Sequence, residues 1–267
     1  MEPVADEIPE EWVQRAAVVV AAHPDDEVIG VGTLLPRFQD LRAIVHVTDG
    51  APRNGDDVRK AGVATWQEYA QLRRREFQAA VREAGIDGNA RLICLDCPDQ
   101  EASFRMAEIA RELCALFEEL RPEFVFTHPY EGGHPDHDAT AMAIHCAVEL
   151  LKKSPTPLEF SSYHQGPCGM ETGRFLPWPE WPVNGHVLTH EERAAKKRLF
   201  ECYVSQRDVL QHFSVEEEPL RPAPAYDFTQ PPHSGKLHYE NFAWGVTAIE
   251  WRELAIRALR ELDLTRR

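Results

Sequence analysis

Ala16-Ala17-Val18-Val19-Val20-Ala21-Ala22 runs directly into His23-Pro24-Asp25-Asp26-Glu27. An unbroken run of small and β-branched apolar residues has the pattern of a buried strand. The polar cluster follows where that strand ends and the chain turns, and Pro24 stiffens the turn by fixing its own backbone angle. A second cluster, Gly133-His134-Pro135-Asp136-His137-Asp138, lies over a hundred residues downstream. Each cluster pairs a histidine with another metal-capable side chain three residues on: His23 with Asp26, and His134 with His137. Converging groups of this kind make a divalent-metal site with open positions, a geometry that belongs to hydrolytic catalysis more than to structural support.

Outward from the first cluster, strand-like and helix-like segments alternate. Strands are expected at 17–22, 42–47, 91–95 and 123–127, and helices at 28–38, 66–84, 103–120 and 138–152. Gly85 and Arg121-Pro122 act as stops and Ser103 as an N-cap. The polar stretch 52–60 reads as a loop. Short strands alternating with helices imply right-handed βαβ units, an α/β fold and a mostly parallel sheet. Ligands collect beyond the C-terminal ends of such strands. Both clusters sit at such ends, as do Thr48-Asp49-Gly50 and residues 96–99.

After residue 153 the texture changes. Residues 154–184 are rich in Pro, Gly and aromatics, 190–206 look helical, 216–232 form a loop, and a last helix is expected near 249–262. The expected organisation is one domain over 1–267. It has an N-terminal extension (1–15), a catalytic α/β core (16–153), and substrate-loop and C-terminal additions (154–267).

The chain has 267 residues, 43% hydrophobic and 27% charged, with a net charge of -15. That is ordinary for a globular protein, and the acidic balance argues against nucleic acid or an anionic membrane surface as partner. No apolar run approaches the roughly 18 residues needed to cross a bilayer, and residues 1–11 lack the pattern of a secretory signal. Six scattered cysteines are expected as free thiols, and the location as cytoplasmic. A homo-oligomer is left open. Gly30-Val31-Gly32 resembles a dinucleotide fingerprint, but the third glycine is Leu35 and the acidic turn would repel a pyrophosphate. Cys94-Leu95-Asp96-Cys97 has no second pair and reads as core cysteine.

His23, Asp26 and His137 offer two imidazoles and a carboxylate, a common ligand set for catalytic Zn2+ that leaves room for water and a substrate oxygen. If Asp25-Asp26-Glu27 merely capped a helix, neither His-Pro pair would be needed. Neighbouring side chains on a turn diverge, so Asp25 should point away from Asp26 and serve as general base. His134 is placed to stabilise an oxyanion or protonate a leaving amine, with a fourth ligand as the alternative role. Asp136 is expected to fix the His134 tautomer.

Ala22-His23-Pro24-Asp25-Asp26-Glu27 together with Gly133-His134-Pro135-Asp136-His137 resembles the PIG-L/LmbE-like superfamily of zinc-dependent N-deacetylases. The resemblance covers roughly residues 16–150. It implies a Rossmann-like, three-layer α/β/α fold and removal of an N-acetyl group from an N-acetylglucosamine-type amino sugar or glycoconjugate. By motif position it gives His23, Asp26 and His137 the zinc-ligand roles, Asp25 that of the base, and His134 that of transition-state stabiliser. Weaker parallels mark Arg73, in an Arg73-x-x-Glu76 pattern, and Asp99 as substrate contacts. Some members carry a tyrosine two residues before the equivalent of His134; here that position is Gly132, and the nearest tyrosine, Tyr130, is the expected substrate contact. Two other readings are an amidase acting on a larger sugar-thiol or other amide conjugate, and a non-catalytic carbohydrate-binding module.

Overall fold

A computed structural model describes residues 7–178 and 180–265; the first six residues of the expected N-terminal extension lie outside that range. A short helix, α1 (Glu11–Gln14), leads into β1 (Ala16–Ala21). Four further strands run parallel to it: β2 (Asp40–Pro52), β3 (Arg91–Asp99), β4 (Phe124–Thr127) and β5 (Thr156–Phe160). A separate hairpin is formed by β6 (Tyr163–Gly166) and β7 (Gly169–Thr172). Two strands, β8 (Asn184–Val187) and β9 (Glu217–Pro222), then extend the main sheet antiparallel to β5, giving the order β3-β2-β1-β4-β5-β9-β8.

Every β1 residue is buried, and its side chains alternate between two cores. Val18 and Val20 face α5 (Met106–Leu120), α6 (Pro135–Leu150) and α9 (Ala248–Glu261), with Leu113, Ile144 and Trp251 in the same cluster. Ala17, Val19 and Ala21 face α2 (Asp26–Val31), α4 (Trp66–Glu83) and α7 (His190–Glu201), packing with Val28, Phe77 and Leu199. The result is a three-layer α/β/α arrangement, and only a strand without polar side chains can occupy its middle. The chain builds from β1 through β2 to β3 in one direction, then starts β4 on the opposite side of β1. The order thus reverses between β1 and β4, which opens a crevice at the C-terminal strand ends. Both motifs leave strands at that crevice.

Several boundaries differ from the sequence expectation, each for a local reason. The helix expected over 28–38 stops at Val31. Thr33 donates its N–H to Glu218 Oε1 (3.0 Å) and its hydroxyl to Glu218 Oε2 (2.7 Å), so it leaves the helical ladder. Pro36 then starts a single 3-10 turn, Leu35–Arg37. The expected loop 52–60 contains α3 (Asp56–Ala61), closed by left-handed Gly55 and Gly62, with acids in its first turn and bases in its last. Ser103 caps nothing; it lies in the 3-10 turn Ala102–Phe104 and donates its hydroxyl to the Pro135 carbonyl (3.2 Å). The helix of the second motif starts at Pro135 rather than residue 138, with proline at its first position. All six cysteines are free thiols; Cys97 is buried, and burial pushes the Cys94 thiol up to about 12.

Gly30 serves packing rather than phosphate binding, since a Cβ there would sit 2.3 Å from Phe160 Cδ2 and Cγ. Gly30→Ala should therefore overpack the α2–β5 contact and cost about 1–3 kcal/mol. Urea unfolding checks this: the midpoint should fall with the slope unchanged, and a midpoint equal to the parent's would show that Phe160 yields freely.

Candidate active site

The first turn is built around a strained residue. Asp25 has φ +124°, ψ -27°, a region that L residues other than glycine rarely occupy, and such strain persists only where surroundings over-determine it. Three features do so. Pro24 fixes the preceding φ. Arg73, buried on α4, donates to the Pro24 carbonyl and lies 3.3 Å from Asp25 Oδ2. Fully buried Glu27 accepts the Asp25 N–H at Oε2 (3.0 Å); the same oxygen is 3.0 Å from His46 Nε2, and Oε1 accepts the Tyr203 hydroxyl. The strained turn sends Asp25 toward Arg73 and Asp26 into the histidine cluster, the divergence expected from sequence.

His23 Nδ1, Asp26 and His137 Nε2 converge. His23 Nδ1 is 3.2 Å from Asp26 Oδ2, His137 Nε2 is 3.3 Å from Asp26 Oδ1, and the two imidazole nitrogens are 3.3 Å apart. Metal–donor bonds of about 2.0–2.1 Å at tetrahedral angles place donors about 3.3–3.4 Å apart. Each pair of these residues thus has the donor spacing that a small tetrahedral cation requires, His23 and His137 facing different oxygens of Asp26. Charge favours the same ion: Asp25, Asp26 and Asp136 are buried, the Asp99 side chain is 13% exposed, and among the described residues only Arg73 brings a permanent positive charge to them.

His23 Nε2 lies 3.2 Å from Asp136 Oδ2 and 3.3 Å from Asp99 Oδ1. Asp136 is itself fixed by the N–H groups of Gln100 (2.6 Å) and Ala102 (3.0 Å). Burial opposes protonation of His23, but these carboxylates hold its pKa well above the usual histidine value. Burial pushes Asp99 up, yet His23 beside it outweighs that and holds it at about 2. For Asp25 burial wins over Arg73, raising it to about 7.

Two expectations need correction. Asp136 does not fix His134: its carboxylate is 4.0 Å from His134 Nδ1 and engages His23 instead. The Asp136 backbone does so, donating its N–H to His134 Nδ1 (3.1 Å) because His134 is the N-cap of α6. Nδ1 is thus an acceptor and the ring proton sits on Nε2. Burial and neighbouring His23 hold His134 down at about 3. Tyr130 turns into the core: it stacks on Trp251 (5.2 Å) and donates its hydroxyl to the Gln230 carbonyl (2.9 Å). It is not placed as a substrate contact.

Other residues also line the site, and of these His128 and Ser162 do not stand out among the sequence motifs. His128 is fully buried beside Asp26 and His137. Ser162 Oγ is 3.3 Å from His137 Nδ1. Tyr163 and Trp244 set rings 5.3 Å from His137 and 4.5 Å from His134. A signal for His128 was present, since Thr127-His128-Pro129 repeats the strand-end His-Pro of the first motif.

Residues 18–148 match the family described as PIG-L: GlcNAc-PI de-N-acetylase. That match covers just under half of the chain. A Bacillus subtilis (strain 168) protein named a probable N-acetyl-α-D-glucosaminyl L-malate deacetylase 2 is 31% identical over 155 residues, covering 54% of this chain and 66% of the relative. The chain thus spans about two thirds of that relative's length. The crystal structure of an A40926 pseudoaglycone deacetylase superposes with TM-score 0.62 at 18% identity, covering 80% of this chain and 99% of that one. A 4-carboxy-2-hydroxymuconate hydratase from Pseudomonas putida gives 0.53 at 17%, covering 80% and 98%. At such identities the likeness shows the fold alone. Because a deacetylase and a hydratase both have that fold, the reaction must be read from the PIG-L site and not from the fold.

Glu27 is completed by donors from β2 and from just past α7, so Tyr203→Phe should leave one Glu27 oxygen without its hydroxyl donor. The expected loss is about 1–3 kcal/mol, read as a lower denaturation midpoint. Unchanged stability would show that Glu27 does not depend on that hydroxyl.

Proposed function

We propose that the protein is a zinc-dependent hydrolase that removes an N-acetyl group from an N-acetylglucosamine-type amino sugar or glycoconjugate. The observation that carries the reading is the convergence of His23 Nδ1, the Asp26 carboxylate and His137 Nε2 at pairwise distances of 3.2–3.3 Å, with a separate, strained carboxylate, Asp25, beside them. The PIG-L match and the names of the relatives support the N-acetylglucosaminyl substrate class. The larger-amide reading uses the same residues.

In this proposal His23, Asp26 and His137 hold the ion, which when bound supplies an acidified water and polarises the amide carbonyl. Asp25 accepts the water proton at its carboxylate and later delivers it to the leaving amine, a shuttle suited to a group burial has moved to about 7. Arg73 keeps that carboxylate in place. His134 presents Nε2–H as a neutral donor to the oxyanion. With its pKa held low, it is a poor source of the amine's proton. Asp99 faces the crevice beside His23, where it can receive a sugar hydroxyl. Among the described residues no helix is long and apolar enough to cross a membrane; a cytoplasmic location, which the free thiols favour, is part of the proposal.

Asp25→Ala is expected to retain about one zinc per chain while amine release from an N-acetylglucosaminide falls about 10²–10⁴-fold. His23→Ala should lose both. Near-normal turnover by Asp25→Ala sinks the base assignment, and full zinc retention by His23→Ala sinks the ligand assignment. His134→Ala should keep the metal and lower kcat more than it raises KM; the opposite split would remove His134 from the transition state. Comparing N-acetylglucosaminides with bulkier amides separates the deacetylase reading from the wider amidase.

A further inference from the structure

We infer that His128 is a positioning residue that keys the three zinc ligands of the proposed site to one another; the inference rests on that zinc reading. His128 immediately follows β4, is 0% exposed, and contacts two of the ligand residues and the residue that precedes the third. The N–H of Ala22, the residue immediately before His23, donates to His128 Nε2 at 3.0 Å. Asp26 Oδ2 lies 3.3 Å from the same nitrogen. The imidazole stacks on that of His137, with centroids 3.9 Å apart and planes at 16°. Phe160 closes the opposite side edge-on, at 4.8 Å and 68°.

These contacts exclude a role as ligand through Nε2. The lone pair of that nitrogen is occupied by the Ala22 N–H, and in the neutral ring the proton then sits on Nδ1, leaving no free donor pair for an ion. What His128 supplies is geometry. It fixes the peptide that launches His23, limits where the Asp26 carboxylate can sit, and holds the His137 ring plane. His23 and Asp26 come from β1 and α2 while His137 comes from α6, so the donors need a common reference across the crevice. Groups that orient ligands in this way typically change metal affinity by about 10–100-fold when replaced.

The test uses the full chain and zinc alone, with the dissociation constant read by competition against a chromophoric chelator and thermal unfolding read on chelator-stripped protein. His128→Phe keeps a ring to stack but loses the acceptor for Ala22; His128→Gln keeps an acceptor but loses the stack. Both should bind zinc about 10–100-fold more weakly than the parent while the stripped proteins still unfold cooperatively. Phe117→Leu, a core change near the end of α5, should lower the thermal midpoint and leave zinc affinity within about twofold, far less than loss of an orienting group. Parent-like affinity in both His128 variants overturns the inference. So does an equal loss in Phe117→Leu, or failure of both His128 variants to fold, because the residue would then be core packing only. A parent chain that binds no zinc overturns it together with the zinc reading. Zinc binding weakened as expected, in a protein that hydrolyses no amide, leaves the inference standing and removes the proposed function alone.

Discussion

The site depends on one unfavourable backbone conformation, that of Asp25, and on the buried carboxylate that maintains it. Two adjacent acids at a relaxed helix start would both lie against the first turn, where they stabilise the helix and do nothing else. With φ at +124°, Asp25 and Asp26 instead face different partners within a single turn. Glu27 makes this tolerable by accepting the Asp25 N–H, and Glu27 is in turn held by His46 on β2 and Tyr203 beyond α7. The turn is thus imposed from a distance by residues outside the motif. It also explains the third acid of the sequence, which neither faces the crevice nor caps the helix.

The second constraint is electrostatic. Carboxylates gathered in a crevice with little water would repel one another and destabilise the fold unless cations or hydrogen bonds compensate. Asp136 is met by two backbone N–H groups and an imidazole, and Asp25 by a guanidinium. Asp26 is met by the imidazoles of His23 and His137 and by the His23 N–H at 2.8 Å. The reversal of strand order between β1 and β4 provides the space in which groups so distant in sequence meet.

The first half of the chain was readable because its apolar periodicity and its stops agree with the tertiary structure. β1, α4, β4 and the α5 region fall close to where periodicity places them. Misreadings occur where a long-range contact competes with local preference: Glu218 draws Thr33 out of α2, and Pro135 takes the Ser103 hydroxyl. The convergence of distant residues was legible where residue type and spacing signal it, as for His23, Asp26 and His137. It was not legible where a role depends on which atom points where. His134 and Asp136 are two residues apart, and nothing in that spacing says that the backbone of the second, not its side chain, holds the first. Tyr130 fails similarly, because the turn after β4 aims it at Trp251.

The final third of the chain is fastened to the second motif from behind. Trp251 on α9 donates its indole N–H to the Pro135 carbonyl (3.1 Å), His238 donates its N–H to the Gly132 carbonyl (2.9 Å), and Leu237 fills the space where a side chain at Gly132 would go. The PIG-L match ends at residue 148, but the wall of its crevice does not. Between these anchors, Phe242, 48% exposed, stacks on Trp244, which itself touches His134. The segment therefore has fixed feet and a free span. Its span can vary while the turn of the second motif stays braced, whereas shortening it would disturb a motif from which it is distant in sequence.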